Sequence, residues 1–201
     1  MLTVKNYFFD LSEILANTKA SFGFYTPDYK ENISLNNGIN LVIHRLEQEI
    51  LTGGKKLMII GNGGSAAIAM HALADYANAG GLRTMDLMNP ALITCMANDY
   101  GYENVFSKPV EIFADKGDIL FAISSSGRSL NIIRAAEVAS MKGMIVFTFS
   151  GFSHDNPLRK VGHFNFYVPS NHYGFVELAH QILIHCILDF YLKNKLKKER
   201  G

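Results

Sequence analysis

Residues 56–78 read KLMIIGNGGSAAIAMHALADYAN. The first five, Lys56 to Ile60, make a short apolar run suited to a buried strand. The run breaks into Gly61-Asn62-Gly63-Gly64-Ser65, and an alanine-rich segment with strong helix propensity follows to about Asn78. A strand that passes through glycines into a helix is a building unit of parallel α/β sheets. At such a junction the first helical amides are unpaired and partly positive, and glycine removes the Cβ that would hold a ligand off the backbone. Loop 61–65 therefore reads as an anion-binding turn. Ser65 also suits a plain helix cap, and both roles are compatible.

A second junction of the same kind lies downstream. Asp118 to Ile123 reads as a strand, then comes Ser124-Ser125-Ser126-Gly127-Arg128-Ser129, then a helix to Lys142. Hydroxyls and backbone amides can surround an anion without a lysine. The bland alternative is a serine-rich turn capped at Ser129. Further strands are expected at Arg83–Leu87, Met144–Phe149 and Phe164–Val168. A mixed helical region spans Pro90–Phe113, a short helix lies near Leu158, and a long helix from Phe175 to Leu196 closes the chain. Strands alternating with helices imply a parallel sheet covered on both faces, an αβα sandwich. Such a sheet takes its ligand outside the carboxyl ends of its strands, where both loops fall.

Upstream, helical patterns cover Val4–Ser21 and Ile33–Leu51. Tyr25, Pro27 and Asp28 read as a turn between them, and Gly53-Gly54 stop the second. With no strand expected between them, residues 1–54 should pack outside the sandwich, on it or against a neighbouring subunit. Residues 1–201 read as one domain.

The 201 residues are 48% apolar with a formal net charge of +1. The balance gives no sign of a nucleic-acid or membrane partner. The one basic run, Lys193 to Arg200, reads as a solvated last helical turn. Cys95 and Cys186 are far apart and are expected to be buried and reduced, which suits the cytosol. No signal peptide or bilayer-length apolar run is evident.

Gly61, Gly63 and Ala66 also satisfy a dinucleotide-binding spacing, with Asp86 near the acidic position, so an NAD-binding domain is an alternative. The serine loop speaks against it, because a dinucleotide fold has no use for such a cradle. Among ionisable residues, His71 and Asp75 share a helix face at a spacing of four. Glu177, Gln181 and His185 form a polar stripe on the closing helix, with His180 to one side. Two histidine–carboxylate sets suit a divalent metal such as zinc, or a general acid and base. Polar contacts between packed helices are the plainer reading.

Taken in order, Gly61-Asn62-Gly63-Gly64-Ser65, Met70-His71, Asn98-Asp99-Tyr100-Gly101, Ser124-Ser125-Ser126-Gly127-Arg128-Ser129, Lys142-Gly143-Met144 and the Glu177 to His185 helix resemble the phosphoheptose isomerase branch of the sugar isomerase (SIS) domain family. The resemblance covers nearly the whole chain. It implies a five-stranded parallel sheet with a flavodoxin-like three-layer αβα fold. It also implies a cytoplasmic homotetramer with active sites between subunits. The implied reaction converts sedoheptulose 7-phosphate to D-glycero-D-manno-heptose 7-phosphate, for surface-polysaccharide synthesis. Substrate contacts are implied for Asn62, Gly63, Gly64, Ser65, Asn98 and Asp99. Ser124, Ser125, Ser126 and Ser129 would hold the phosphate. Asp75, Glu177 and His185 would be catalytic, and His71, Asp75, Glu177 and His185 match residues that hold one zinc per subunit in some members.

The chain also departs from the family. Asp75 stands where glutamate is usual, Glu177 where glutamine is, and Arg128 where asparagine is. Asn78 and Ala79 occupy the place of a basic residue. SIS domains also serve as non-catalytic sugar-phosphate sensors or adaptors, the alternative in a different functional class. Retention of four ionisable residues at His71, Asp75, Glu177 and His185 favours an enzyme.

Overall fold

The structure is a computed structural model that describes residues 3–23 and 32–199. The turn expected at Tyr25, Pro27 and Asp28 lies outside the described residues. In chain order the elements are α1 (Val4–Ala16), β1 (Lys19–Phe22), β2 (Asn32–Ile33) and α2 (Leu35–Arg45), which runs on as a π-helical stretch, Leu46–Thr52. Next come β3 (Leu57–Ile60), α3 (Gly64–Asn78), β4 (Thr84–Met85), α4 (Pro90–Tyr100), a 3-10 turn (Tyr102–Asn104) and α5 (Ser107–Phe113). The chain closes with β5 (Ile119–Ser124), α6 (Leu130–Met141), β6 (Ile145–Ser150), α7 (Leu158–Val161), β7 (Phe164–Tyr167) and α8 (Tyr173–Glu199).

Among the described residues the sheet has seven strands in the order β2-β1-β7-β6-β5-β3-β4, which corrects the expected count of five. The five expected strands are all present and mutually parallel, from β4 to β7. The other two, β1 and β2, are antiparallel additions beyond β7. They also overturn the expectation that no strand separates the two leading helices. Lys19–Phe22 continues the apolar stripe of α1 in sequence, but it faces the edge of β7, whose backbone groups would otherwise be unpaired.

β5 and β6 are buried at nearly every position, which explains their continuous apolar runs. α8 packs against α1, α2 and α3 on one side, and α6 packs against α5 and α7 on the other. In length and composition Tyr173–Lys197 meets the requirement for a membrane span, contrary to the expectation that no such run exists. Here it is a core helix that buries Val176, Ala179, Leu183, Ile184, Ile187, Leu188 and Tyr191 inside the fold. α2 is anchored through Ile39, Val42 and Ile43. α1 lies more loosely on the sandwich: it buries no residue fully, and Tyr7 stacks near Phe175 at 4.6 Å between ring centroids.

Buried Asp118 ties the starts of β3 and β5 together. Its two carboxylate oxygens accept from the Lys56 and Asp115 backbone amides at 2.8 Å each, and Lys56 Nζ lies 2.9 Å from Oδ2. This fixes the register of the two strands that carry the loops: Ile60 pairs with Ala122. Cys95 is exposed and Cys186 partly buried, so neither is the fully buried thiol expected. Cys95 sits on α4, no residue of which is fully buried, with its thiol 3.6 Å from Asp99 Oδ2.

Candidate functional site

Because β3 and β5 are parallel neighbours, the loops that leave them open side by side. They enclose a cleft of ≈ 270 Å³ lined by Asn62, Gly63, Gly64 and Ser65 from one loop and Ser124, Ser125, Ser126 and Ser129 from the other. Tyr173 and Glu177 close it from α8, and Ile123 also reaches it. All eight of these loop residues expected from the sequence meet in one place.

The local geometry of the glycine loop follows from two residues. Gly63 has φ +54°, a region that L-residues with a Cβ seldom occupy. Gly64 begins α3, and a Cβ there would stand 2.6 Å from the Glu177 carboxylate. Glycine at 64 therefore lets α8 bring an acid onto the start of α3. Ser65 does not cap the helix as expected. It is buried within the first turn, the cap position is Gly63, and no side chain bonds there.

The serine loop is internally braced. Ser124 Oγ donates to Ser129 Oγ at 3.2 Å, and the Arg128 amide donates to Ser126 Oγ at 3.2 Å. Ser129 occupies the cap position of α6, but its hydroxyl makes no capping bond. Ser125 Oγ is buried without a hydrogen-bond partner, although Ser125 lines the cleft. A buried hydroxyl left unpaired is costly, and an anion in the cleft would satisfy it. Among the described residues no cationic side chain lines the cleft. Arg128 is exposed and does not reach it.

His71, Asp75 and His185 come together where α3 packs on α8. His71 Nε2 is 3.3 Å and His185 Nδ1 is 3.9 Å from Asp75 Oδ2. One ligand atom from each of the three lies within 4.8 Å of the others. Two imidazoles and a carboxylate at this spacing fit a divalent ion of zinc type with a position left open. The shorter Asp75 thus still reaches both imidazoles. Glu177 is not in this group: it precedes His185 by eight residues, a rise of about 12 Å along the helix. Although it shares a face of α8 with His185, Glu177 lines the cleft instead.

Asn98 and Asp99 do not line the cleft. Both are exposed at the end of α4, where Asn98 Nδ2 donates to Asp99 Oδ1 at 2.8 Å. Asp86, the acidic position of the dinucleotide alternative, accepts from the Met88 amide at 2.7 Å and closes a local turn. His180 is fully buried, 6.2 Å from the Phe149 ring, and neither ring nitrogen has a hydrogen-bond partner within ordinary range. Desolvation by burial lowers its pKa to about 4, against an opposing pull from the Ser150 backbone. It is a neutral core residue and takes no part in the His71 group. Tyr173 is the cleft residue that sequence reasoning missed, since a tyrosine at the start of an apolar helix carries no ligand signal of its own.

The SIS domain family profile matches residues 31–151. The phosphoheptose isomerase of Fusobacterium nucleatum is 35% identical over 145 residues, covering 70% of this chain and 74% of that protein. That of Crocosphaera subtropica is 38% identical over 142 residues, covering 68% and 72%. Among solved structures, the phosphoheptose isomerase of Neisseria gonorrhoeae superposes with a TM-score of 0.75 at 27% identity, over 94% of this chain and 97% of that one. The phosphoheptose isomerase of Francisella tularensis gives 0.79 at 25% identity, over 94% and 96%.

Proposed function

The chain belongs to the SIS domain family, in its phosphoheptose isomerase branch, and on that premise we propose that it interconverts sedoheptulose 7-phosphate and D-glycero-D-manno-heptose 7-phosphate. The observation that carries the reading is the single cleft formed by the two loops. It offers hydroxyls and helix-terminal amides to an anion, with an acid, Glu177, on its α8 wall.

In this reading Ser124, Ser125, Ser126 and Ser129 hold the phosphate and Asn62 to Ser65 hold the sugar. The seven-carbon chain then extends past Glu177 toward the His71, Asp75 and His185 group. Binding energy at the phosphate end fixes geometry at the reacting end. A base removes the pro-enediol proton from C1 of the ketose. The resulting enediolate is protonated at C2, and a second proton moves from the C1 hydroxyl to the C2 oxygen. His185 is the first choice for one transfer, because histidine is the side chain most often used to move a proton in either direction near neutrality. Asp75 or Glu177 is its partner. His71, Asp75 and His185 would hold a zinc ion, one per subunit, which supplies Lewis acidity toward the sugar oxygens.

The apolar residues left exposed on α1 (Val4, Phe8 and Phe9), on α3 (Met70) and on α8 (Leu178 and Ile182) support a homotetramer with the site near subunit contacts. The free thiols of Cys95 and Cys186 support a cytoplasmic location.

The test is incubation with sedoheptulose 7-phosphate, with and without zinc, with products read by NMR. An aldoheptose phosphate is expected. Thermal stabilisation by the ketose phosphate without conversion would keep the binding site and overturn the isomerase.

A further inference from the structure

Asn62 is tied to the start of α6 by a reciprocal pair of amide hydrogen bonds. Asn62 Nδ2 donates to Asn131 Oδ1 and Asn131 Nδ2 donates to Asn62 Oδ1, both at 2.9 Å. Asn131 is 3% exposed, so its carboxamide works in a largely dry environment. A further bond fixes which way both amides face. The backbone N–H of Ile132, which can only donate, points to Asn131 Oδ1 at 3.0 Å. That sets Oδ1 and Nδ2 of Asn131, which in turn set those of Asn62. The Tyr102 hydroxyl then donates to Asn62 Oδ1 at 3.1 Å.

An amide oxygen has two lone pairs and an amide nitrogen two protons. At Asn62 both lone pairs are taken and one proton is taken. One Nδ2–H remains, and Asn62 lines the cleft. We propose that Asn131 is a positioning residue for the isomerisation: it locks the Asn62 carboxamide so that position 62 is a pure donor, aimed at a substrate oxygen that accepts. The inference rests on the sugar-phosphate isomerase reading. It adds a rule of selection, because a free Asn62 could turn its oxygen to a sugar hydroxyl and bind substrate in the wrong register. It also links the two loops, since Asn131 sits in the first turn after the serine loop.

The test uses the full chain and two variants. Asn131→Asp keeps the acceptor for Ile132 and removes the donor to Asn62, and Asn131→Ala removes both. Turnover of sedoheptulose 7-phosphate should fall roughly ten- to a hundredfold in kcat/KM, the scale of a misplaced contact. Stabilisation by inorganic phosphate, which reports the serine loop, should stay as in the wild type. In the Asn62→Ala background, Asn131→Asp should have no further effect, because the residue it positions is gone. Independent effects of the two substitutions, or an equal loss of phosphate stabilisation, would overturn the proposal and leave Asn131 as a structural residue. If the wild type itself does not turn over the ketose phosphate, the isomerase reading fails separately. The side-chain amide NMR signals of Asn62 then decide the positioning: one slowly exchanging N–H in the wild type, lost in Asn131→Ala, which removes its acceptor, is expected, and no change would sink it.

Discussion

Asp75 Oδ2 lies 3.9 Å from His185 Nδ1, across the contact between α3 and α8. The same oxygen is 3.3 Å from His71 Nε2, so one carboxylate faces two imidazoles from two helices. A helix pair that only needed to pack would gain little from three partly exposed ionisable groups at one crossing. His185→Ala should lower turnover by about 10²- to 10⁴-fold, the range for a lost general acid or base. Wild-type protein purified without chelator should carry zinc and His71→Ala should lose it, both read by elemental mass spectrometry. Both variants should keep the thermal stabilisation given by phosphate, because the serine loop is untouched. Undiminished turnover in His185→Ala would remove that residue from the chemistry.

Ser125 should behave unlike its neighbours. Its hydroxyl is buried and has no hydrogen-bond partner, whereas those of Ser124 and Ser129 bond to each other. Ser125→Ala should leave the stability of the unliganded protein unchanged, or raise it by up to about 1 kcal/mol, by removing an unsatisfied polar group. The same change should weaken phosphate binding. Thermal unfolding with and without inorganic phosphate separates the two effects. A phosphate-induced shift equal to that of the wild type would show that Ser125 does not touch the anion.

The parts of this fold that are legible in the sequence are those whose determinants are local. β3 and β5 are continuous apolar runs that end abruptly in glycine or serine, and the helices after them have clear periods. Both loops and their meeting in one cleft follow from that. β1 is different: Lys19–Phe22 has four residues and no alternation of its own, and it becomes a strand because the edge of β7 is there to pair with it. Tyr173 and Asn131 depend on partners brought from distant parts of the chain, Asn131 from 69 residues away. Glu177 shows a related limit. Helical spacing puts it on the same face as His185, but a face two turns long is not one site.

His180 gives the protein an acid-sensitive core. Burial lowers its pKa to about 4 in the folded state, against about 6.5 when unfolded. Below pH 6.5 the unfolded chain takes up a proton that the folded chain refuses, so stability is full above that pH and is lost as pH falls. Between pH 7 and pH 5 this single residue should account for about 2 kcal/mol. Denaturant unfolding of the wild type and His180→Leu at the two pH values measures it. The variant should lose less stability over that interval by about that amount. Parallel losses would mean that His180 gains a partner or water that lets it charge in place.

The start of α3 and the wall of α8 should be coupled through a single missing methyl group. A Cβ at position 64 would stand 2.6 Å from both oxygens and the carboxyl carbon of Glu177. Real side chains do not tolerate that distance, but the obstacle is the far end of a flexible side chain, so the fold can survive by moving it. Gly64 is not held at positive φ, so Gly64→Ala adds no backbone strain and even improves helix propensity by up to about 1 kcal/mol. Gly64→Ala should therefore fold with near-normal or higher stability while pushing the Glu177 carboxylate away from the cleft. If Glu177 acts on the sugar, kcat/KM should fall by at least about tenfold, as for a displaced catalytic contact. Glu177→Ala should fall similarly, and the double variant should be no worse than either, because both act on one carboxylate. A full loss in Gly64→Ala with none in Glu177→Ala would place the damage on the backbone approach of the ligand instead, and would assign Glu177 to packing.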